Sequence, residues 1–285
     1  MQKRTVYTCL AVGCLTAAGA GCYLENNRLV TTQLTYRSSS VPAAFDGFRV
    51  AQVSDLHDKR FGAGQTRLLA ALREIQPDCI VTTGDLIDRR RRESGAAWEF
   101  VRGAVQIAPL YFVTGNHENW SGKAPAVLRA LTQAGVHVLD DRCETIARGG
   151  DSIRIAGVSD ETCQTAENRR DGQDRLPPVL EELMRGDPRF TILLAHHPER
   201  LATYAQAGVP LVFCGHAHGG QFRLPGIGGL YAPGQGVLPK YTSGMHTARQ
   251  TAMIVSRGLG NSLFPLRLHN PPELVAVTLR RETLR

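Results

Sequence analysis

None of the seven cysteines stands in a C-x-x-C pair, so the chain carries no zinc ribbon. Cys79 and Cys214 lie inside apolar runs and read as small buried thiols. Cys143 and Cys163 are the one pair that an oxidising compartment would join, and two free thiols are the simpler reading. Charge is also missing, from Thr5 to Leu24, directly after Lys3 and Arg4. A stretch of that length crosses a bilayer, although its threonines and glycines make it only weakly apolar. Ala18-Gly19-Ala20 has the small residues of a cleavage site, so a removed signal peptide competes with a retained anchor, and the anchor is preferred. Lysine and arginine on the N-terminal side put the rest of the chain outside the cytoplasm, with the cytoplasmic face or secretion as alternatives. Cys22 is not read as a lipidation site, because Gly19 stands where an aliphatic residue belongs.

What remains is an ordinary globular composition. With 285 residues, 42% hydrophobic and 21% charged, the chain suits one α/β domain, and its formal charge of +7 favours an anionic substrate or surface. The expected organisation is a membrane or signal segment over 1–24, a linker over 25–46 that reads as a short strand and a connection ending at Pro42, and a single domain over 47–285.

Five apolar runs end in Asp, His or Asn. Phe48 to Val53 reads as a strand and delivers Asp55 and His57, whose i, i+2 spacing points both side chains one way in extended chain. A helix follows, with Leu68, Leu69, Leu72 and Ile75 on one face, and then a second strand from Cys79. Strand, helix and strand in so short a span imply a right-handed parallel crossover. This second run leaves the sheet through Gly84-Asp85-Leu86-Ile87-Asp88, where the glycine lets the backbone pass close to whatever the carboxylate binds. Arg89 opens the run Arg89 to Arg92, which reads either as a solvated face or, at its first member, as a group that reaches a phosphate. The third run, Pro109 to Thr114, ends in Gly115-Asn116-His117-Glu118; Phe190 to Ala195 ends in His196-His197-Pro198; and Leu211 to Cys214 ends in Gly215-His216-Ala217-His218. Val136–Leu139, Thr145–Ala147 and Ile153–Val158 read as short strands of a second sheet. Between 221 and 250 the chain is rich in glycine and proline yet carries Leu224, Ile227, Leu230, Tyr231, Val237 and Leu238, either as a substrate-contacting loop or as a loop that packs its own apolar residues.

In that order the blocks Asp-x-His, Gly-Asp-x-x-Asp, Gly-Asn-His-Glu, His-x-Pro and Gly-His-x-His resemble the calcineurin-like metallophosphoesterases. The stretches 215–221 and 256–262, with Arg267, Asn270, Pro272 and Glu273, are similar to the membrane-associated bacterial phosphodiesterase subgroup. The resemblance implies an α/β fold: a β-sandwich of two mixed sheets flanked by helices, with a dimetal site at the strand C-terminal ends. It implies that Asp85 bridges two divalent ions, that Asp55, His57 and His218 complete the ligands of one, and that Asn116, His196 and His216 complete those of the other. His196 is chosen over His197 because the family ligand stands two residues before the proline. His117 would protonate or stabilise the leaving oxygen, with Asp88 orienting its ring. Nitrogen and oxygen donors without cysteine suit manganese, iron or zinc better than calcium, and manganese is taken as the metal with iron or zinc as alternatives.

The activity implied is hydrolysis of a phosphodiester or pyrophosphate by a metal-bridging hydroxide. A lipid-linked substrate, such as a UDP-diacylglucosamine lipid A precursor, would match the membrane segment over 5–24. No specific nucleic-acid partner is expected, and the protein is expected to be a monomer. The alternatives are a phosphomonoesterase or nucleotidase, and a non-catalytic module binding cell wall or another anionic polymer.

Overall fold

The computed structural model describes residues 7, 16, 19–91, 93–165, 167, 171–261 and 264–282. Residues 19–27 are helical (α1). There follow β1 (Val30–Ser38), β2 (Arg49–Val53), α2 (Thr66–Ile75), β3 (Cys79–Thr83), α3 (Gly95–Ala104), β4 (Leu110–Val113), α4 (Asn116–Trp120), α5 (Ala124–Gln133) and β5 (His137–Val138). The second half runs β6 (Arg142–Arg148), β7 (Asp151–Gly157), α6 (Asp160–Cys163), α7 (Leu176–Met184), β8 (Thr191–Leu194), α8 (Leu201–Gln206) and β9 (Leu211–Cys214). Two small hairpins come next, β10 (Arg223–Leu224) with β11 (Gly228–Gly229) and β12 (Tyr231–Ala232) with β13 (Gly236–Val237), then β14 (Gly244–Ala248), β15 (Thr251–Val255) and β16 (Glu273–Arg281).

Successive side chains on a strand point to opposite faces, and here both faces are covered. Val50, Cys79, Val81, Ile192, Leu194, Leu211 and Phe213 share one core between two six-stranded sheets. Their neighbours Ala51, Val53 and Ile80 face a second core that includes Leu68 and Leu72 of α2, while Leu193, Val212 and Cys214 face a third with Leu180 of α7. The layers are therefore helix, sheet, sheet, helix, as the family resemblance implies. The sheets run β1-β16-β2-β3-β4-β5 and β14-β15-β9-β8-β7-β6, and each mixes parallel and antiparallel neighbours. β2, β3 and β4 are parallel, as are β8 and β9, so their C-terminal ends lie at one edge of the sandwich.

Three expectations need correction. Residues 25–46 are not a linker: β1 pairs in parallel with β16 along its whole length, from Val30 opposite Glu273 to Ser38 opposite Arg281, and Phe45 is buried between the sheets. β5 extends the first sheet beside β4 and does not join β6 and β7 in the second, because it continues a parallel crossover through α5. The segment 221–250 does not fold over its own apolar side chains, since Ile227, Val237 and Leu238 are exposed. The uncharged segment from Thr5 to Leu24 falls largely outside the described residues, among which no helix is long and apolar enough to cross a membrane. Cys143 and Cys163 are both free thiols.

Candidate metal centre

The turns that leave these strand ends are wound the unusual way. Asp55, His57, Asp85, His216 and His218 all have positive φ, between 47° and 65°. A non-glycine residue held there costs about 1–3 kcal/mol and persists only where surrounding structure enforces it. Here the turns bond to one another: the Asp55 N–H donates to the Gly84 carbonyl at 3.0 Å and the His57 N–H to the Asp85 carbonyl at 3.0 Å. Gly84 has φ +88°, and a Cβ on it would sit 2.6 Å from both the Gly115 Cα and the His196 Nδ1, so the close stacking of three turns requires glycine there.

The side chains converge on Asp85. Its Oδ2 lies 3.5 Å from His57 Nε2 and equally 3.5 Å from His196 Nε2, so one oxygen faces two groups of donors. On one side His57 Nε2 is 3.1 Å from His218 Nε2, which is 3.4 Å from Asp55 Oδ1. On the other, His196 Nε2 is 3.1 Å from both the Asn116 side-chain oxygen and His216 Nδ1. All seven side chains are buried. The His196 ring is oriented by Nδ1, 2.7 Å from the Thr83 carbonyl, an acceptor that fixes the proton on Nδ1 and leaves the Nε2 lone pair facing Asp85.

Burial pushes His57 and His216 down to about 3 and His218 well below its usual range, so these rings are neutral and their lone pairs are available. Burial pushes the Asp85 carboxyl up, but the neighbouring His196, His57 and His117 outweigh it and hold it well below the usual carboxylate range. Neutral imidazole nitrogens 3.1 Å apart beside a carboxylate, with Nδ1 of His57 and of His218 buried and unpartnered, form a donor set suited to a cation. Divalent ions fit these residues in charge and in ligand type.

Beyond the ligand positions, the His117 ring packs edge-on against His57 with ring centres 4.4 Å apart, and the His117 backbone N–H donates to Asp85 Oδ1 at 2.8 Å. Asp88 does not serve His117 alone. Its carboxylate pairs with Arg90 at 2.6 Å, while His117 Nδ1 is 3.5 Å away and receives the Arg89 backbone N–H at 3.3 Å. The Arg89 guanidinium lies 4.7 Å above the Trp120 ring, and both line a cavity of about 240 Å³ that opens onto Asp85, Asn116, His117, His216 and His218.

The calcineurin-like phosphoesterase profile matches residues 48–220, the span that contains every one of these positions. The chain belongs to that family. The family makes this protein a metal-dependent phosphoester hydrolase. It is 32% identical over 284 residues to the uncharacterized metallophosphoesterase YkuE of Bacillus subtilis (strain 168), covering 96% of this chain and 95% of that protein. It is 29% identical over 237 residues to the phosphodiesterase YaeI of Escherichia coli (strain K12), covering 81% and 82% respectively. A transmembrane protein with metallophosphoesterase domain from Danio rerio is 26% identical over 250 residues, covering 85% of this chain and 55% of that protein.

Sequence reasoning passed over several residues of this phosphoesterase. Glu118 is fully buried, and its carboxylate accepts the N–H groups of Asp85, Gly115 and Ile87 at 2.9, 2.8 and 3.1 Å, which ties two ligand-bearing turns together. Its place in the Gly-Asn-His-Glu block was the available signal. Trp120, Pro233 and Phe264 line the cavity without any motif to mark them, beside Tyr231 of the stretch read as a candidate substrate-contacting loop. Arg267 and Asn270, seen in the sequence only as part of a resemblance, have physical work: Asn270 Nδ2 donates to the His218 and Gln221 carbonyls at 2.8 and 3.0 Å, and buried Arg267 donates to the Arg257 and Asn270 carbonyls at 2.9 and 3.3 Å.

Proposed function

We propose that the protein is a phosphodiesterase that cleaves a phosphodiester or pyrophosphate bond in a substrate bearing an apolar group, the class that includes lipid-linked nucleotides such as UDP-diacylglucosamine. The observation that carries the reading is the single Asp85 oxygen equidistant, at 3.5 Å, from His57 and His196, with a separate ligand group behind each ring. Two divalent ions, when bound, neutralise the phosphoryl oxygens and lower the pKa of water. Asp55, His57 and His218 would hold one and Asn116, His196 and His216 the other, with Asp85 shared. Manganese is the proposed metal, with iron and zinc as alternatives for this donor set.

The remaining steps belong to the chain. His117, beside the ligands in the cavity wall, is placed to protonate or stabilise the leaving oxygen, and the Arg89 N–H on its Nδ1 leaves Nε2 to carry the proton of the neutral ring. Arg89 supplies positive charge to the phosphate. The aromatic wall of Trp120, Tyr231 and Phe264 excludes water on one side and suits an apolar substituent. A diester, unlike a monoester, needs room for groups on both sides of phosphorus, and the cavity opens past the ligands toward Tyr231 and Phe264. A non-catalytic polymer-binding role would be favoured by lost ligands, and all seven positions are filled.

The deciding experiment is a comparison of turnover in manganese on bis(p-nitrophenyl) phosphate, p-nitrophenyl phosphate and a lipid pyrophosphate. Faster turnover of the diester or pyrophosphate than of the monoester is expected. A clear preference for the monoester would replace the reading with a phosphomonoesterase, and no turnover of any would favour the binding module.

A further inference from the structure

The apolar side chains left exposed near the cavity are connected to it and to one another. Tyr231 and Phe264 form part of its wall. Val237 stands opposite Tyr231 across the β12–β13 hairpin, and the Leu238 N–H donates to the Leu230 carbonyl at 3.0 Å. Leu230 in turn donates to the Phe222 carbonyl at 2.9 Å, and the Phe222 ring meets Phe264 with centres 5.8 Å apart. Ile227, at the tip of the neighbouring β10–β11 hairpin, projects from the same segment. Exposure reaches 77% at Val237 and 62% at Ile227 and Leu238, far above what a loop covered by its own protein leaves open.

The N-terminal segment leaves the body beside this rim. Asn26, at the end of α1, accepts a hydrogen bond from Asn261 Nδ2 at 2.9 Å, and the same Nδ2 donates to the carbonyl of Pro265, the residue after Phe264. Arg67 holds the Asn27 carbonyl at 2.6 Å, and Lys59 holds that of Asn26. Tyr23 and Leu24, on α1, are exposed at 69% and 62%, and the uncharged stretch from Thr5 to Leu24 leads up to them.

We propose that this rim seats on an anionic phospholipid bilayer, so that the cavity opens directly onto the membrane surface. The inference rests on the reading of a substrate with an apolar group. Single apolar residues on the tips of glycine- and proline-rich hairpins suit shallow insertion among headgroups, whereas a protein partner needs a continuous packed patch. Arg67, Arg89 and Lys240 stand around the same region and complement anionic headgroups, and the exposed Tyr23 and Leu24 of α1 approach from the same side.

The test uses the full chain with manganese, added to vesicles of phosphatidylglycerol and acyl-brominated phosphatidylcholine. In Val237→Trp protein, the added tryptophan emission should fall by about half or more on brominated vesicles, as insertion of roughly 5–10 Å requires. The control is Arg148→Trp, paired with Asp78 just before β3 and so at the sandwich edge away from the metal ligands, where emission should not change. Bound protein with unquenched Val237→Trp emission, or equal quenching at both positions, would overturn the proposal. An emission change that follows protein concentration and not lipid would replace it with self-association. Hydrolysis of bis(p-nitrophenyl) phosphate in the same samples separates the two readings: hydrolysis without quenching removes the docking alone, and quenching without hydrolysis removes the diesterase alone.

Discussion

Glu118 places a carboxylate in full burial with three backbone N–H groups as partners, and burial first, then Asp85, raises its pKa to about 8. Both of its oxygens must accept, because Oε2 takes two N–H groups and Oε1 a third. Glu118→Gln turns one oxygen into a donor facing a donor, a change expected to cost about 1–3 kcal/mol and to lower turnover by misplacing the Asp85 turn; denaturant unfolding and metal-saturated kinetics measure both. His117→Ala is expected to keep the metals yet lose roughly a hundredfold or more in rate, less with a good leaving group that needs no proton. Equal losses with good and poor leaving groups would instead make His117 an electrostatic stabiliser. His197, next to a ligand position, is held at 2.7 Å by Glu199 and 2.8 Å by Asp160. Burial opposes its charge, but these bonds outweigh that and raise it to about 9. A raised pKa stabilises the fold fully below the ordinary value of 6.5 and loses that contribution as pH rises through about 9. Metal-depleted protein should therefore lose on the order of 3 kcal/mol across that window, and His197→Gln should flatten the profile. The ligand positions were legible because chemistry restricts which residues can hold a metal. Glu118 was not, because its role depends on which backbone groups the fold brings to it.

At the level of elements, the strands buried on both faces were the legible part. Runs such as Cys79 to Thr83 carry no charge and are buried at every position, and the Asp or His that follows marks the turn. β1 was only half legible, as a short strand inside a connection, for the opposite reason. Its Val-Thr-Thr-Gln-Leu-Thr-Tyr-Arg-Ser sequence is mostly polar because it is an edge strand with one face partly open, and a polar stretch with few apolar residues looks like a connection. The partner that makes it a strand lies more than two hundred residues away in β16, beyond the reach of local pattern. Phe45 separates the two descriptions. In a linker its removal costs nothing, whereas Phe45→Ala in the fully buried site observed, 5.1 Å from the Phe48 ring, is expected to cost about 3–5 kcal/mol by thermal or denaturant unfolding. β5 misled in another way: two residues carry no period, so only the crossover through α5 assigns it to the first sheet.

Taken as a whole, the molecule joins its two sheets at the site. Asp55, His57, Asp85 and Asn116 follow strands of the first sheet, and His196, His216 and His218 follow strands of the second. Metal binding therefore links the sheets, and chelation should lower the melting temperature, the stabilisation lost being about 2.7 kcal/mol for a metal held at a hundred times its dissociation constant. Calorimetry with and without chelator measures it, and an unchanged transition would mean that the site adds nothing to the sandwich. This cross-sheet arrangement was legible only in outline: five motif-bearing strand ends implied one edge, but the pairing order that divides them between sheets was not written in any of them. That order also has a consequence for synthesis. β16, near the C-terminus, lies between β1 and β2, which come from the first fifth of the chain. While the ribosome is still making the middle of the protein, β1 has no neighbour and β2 has an open edge, and the Arg267 and Asn270 braces behind the His218 turn have not yet emerged. The metal centre is thus completed only once β16 has been made and closes the gap between β1 and β2.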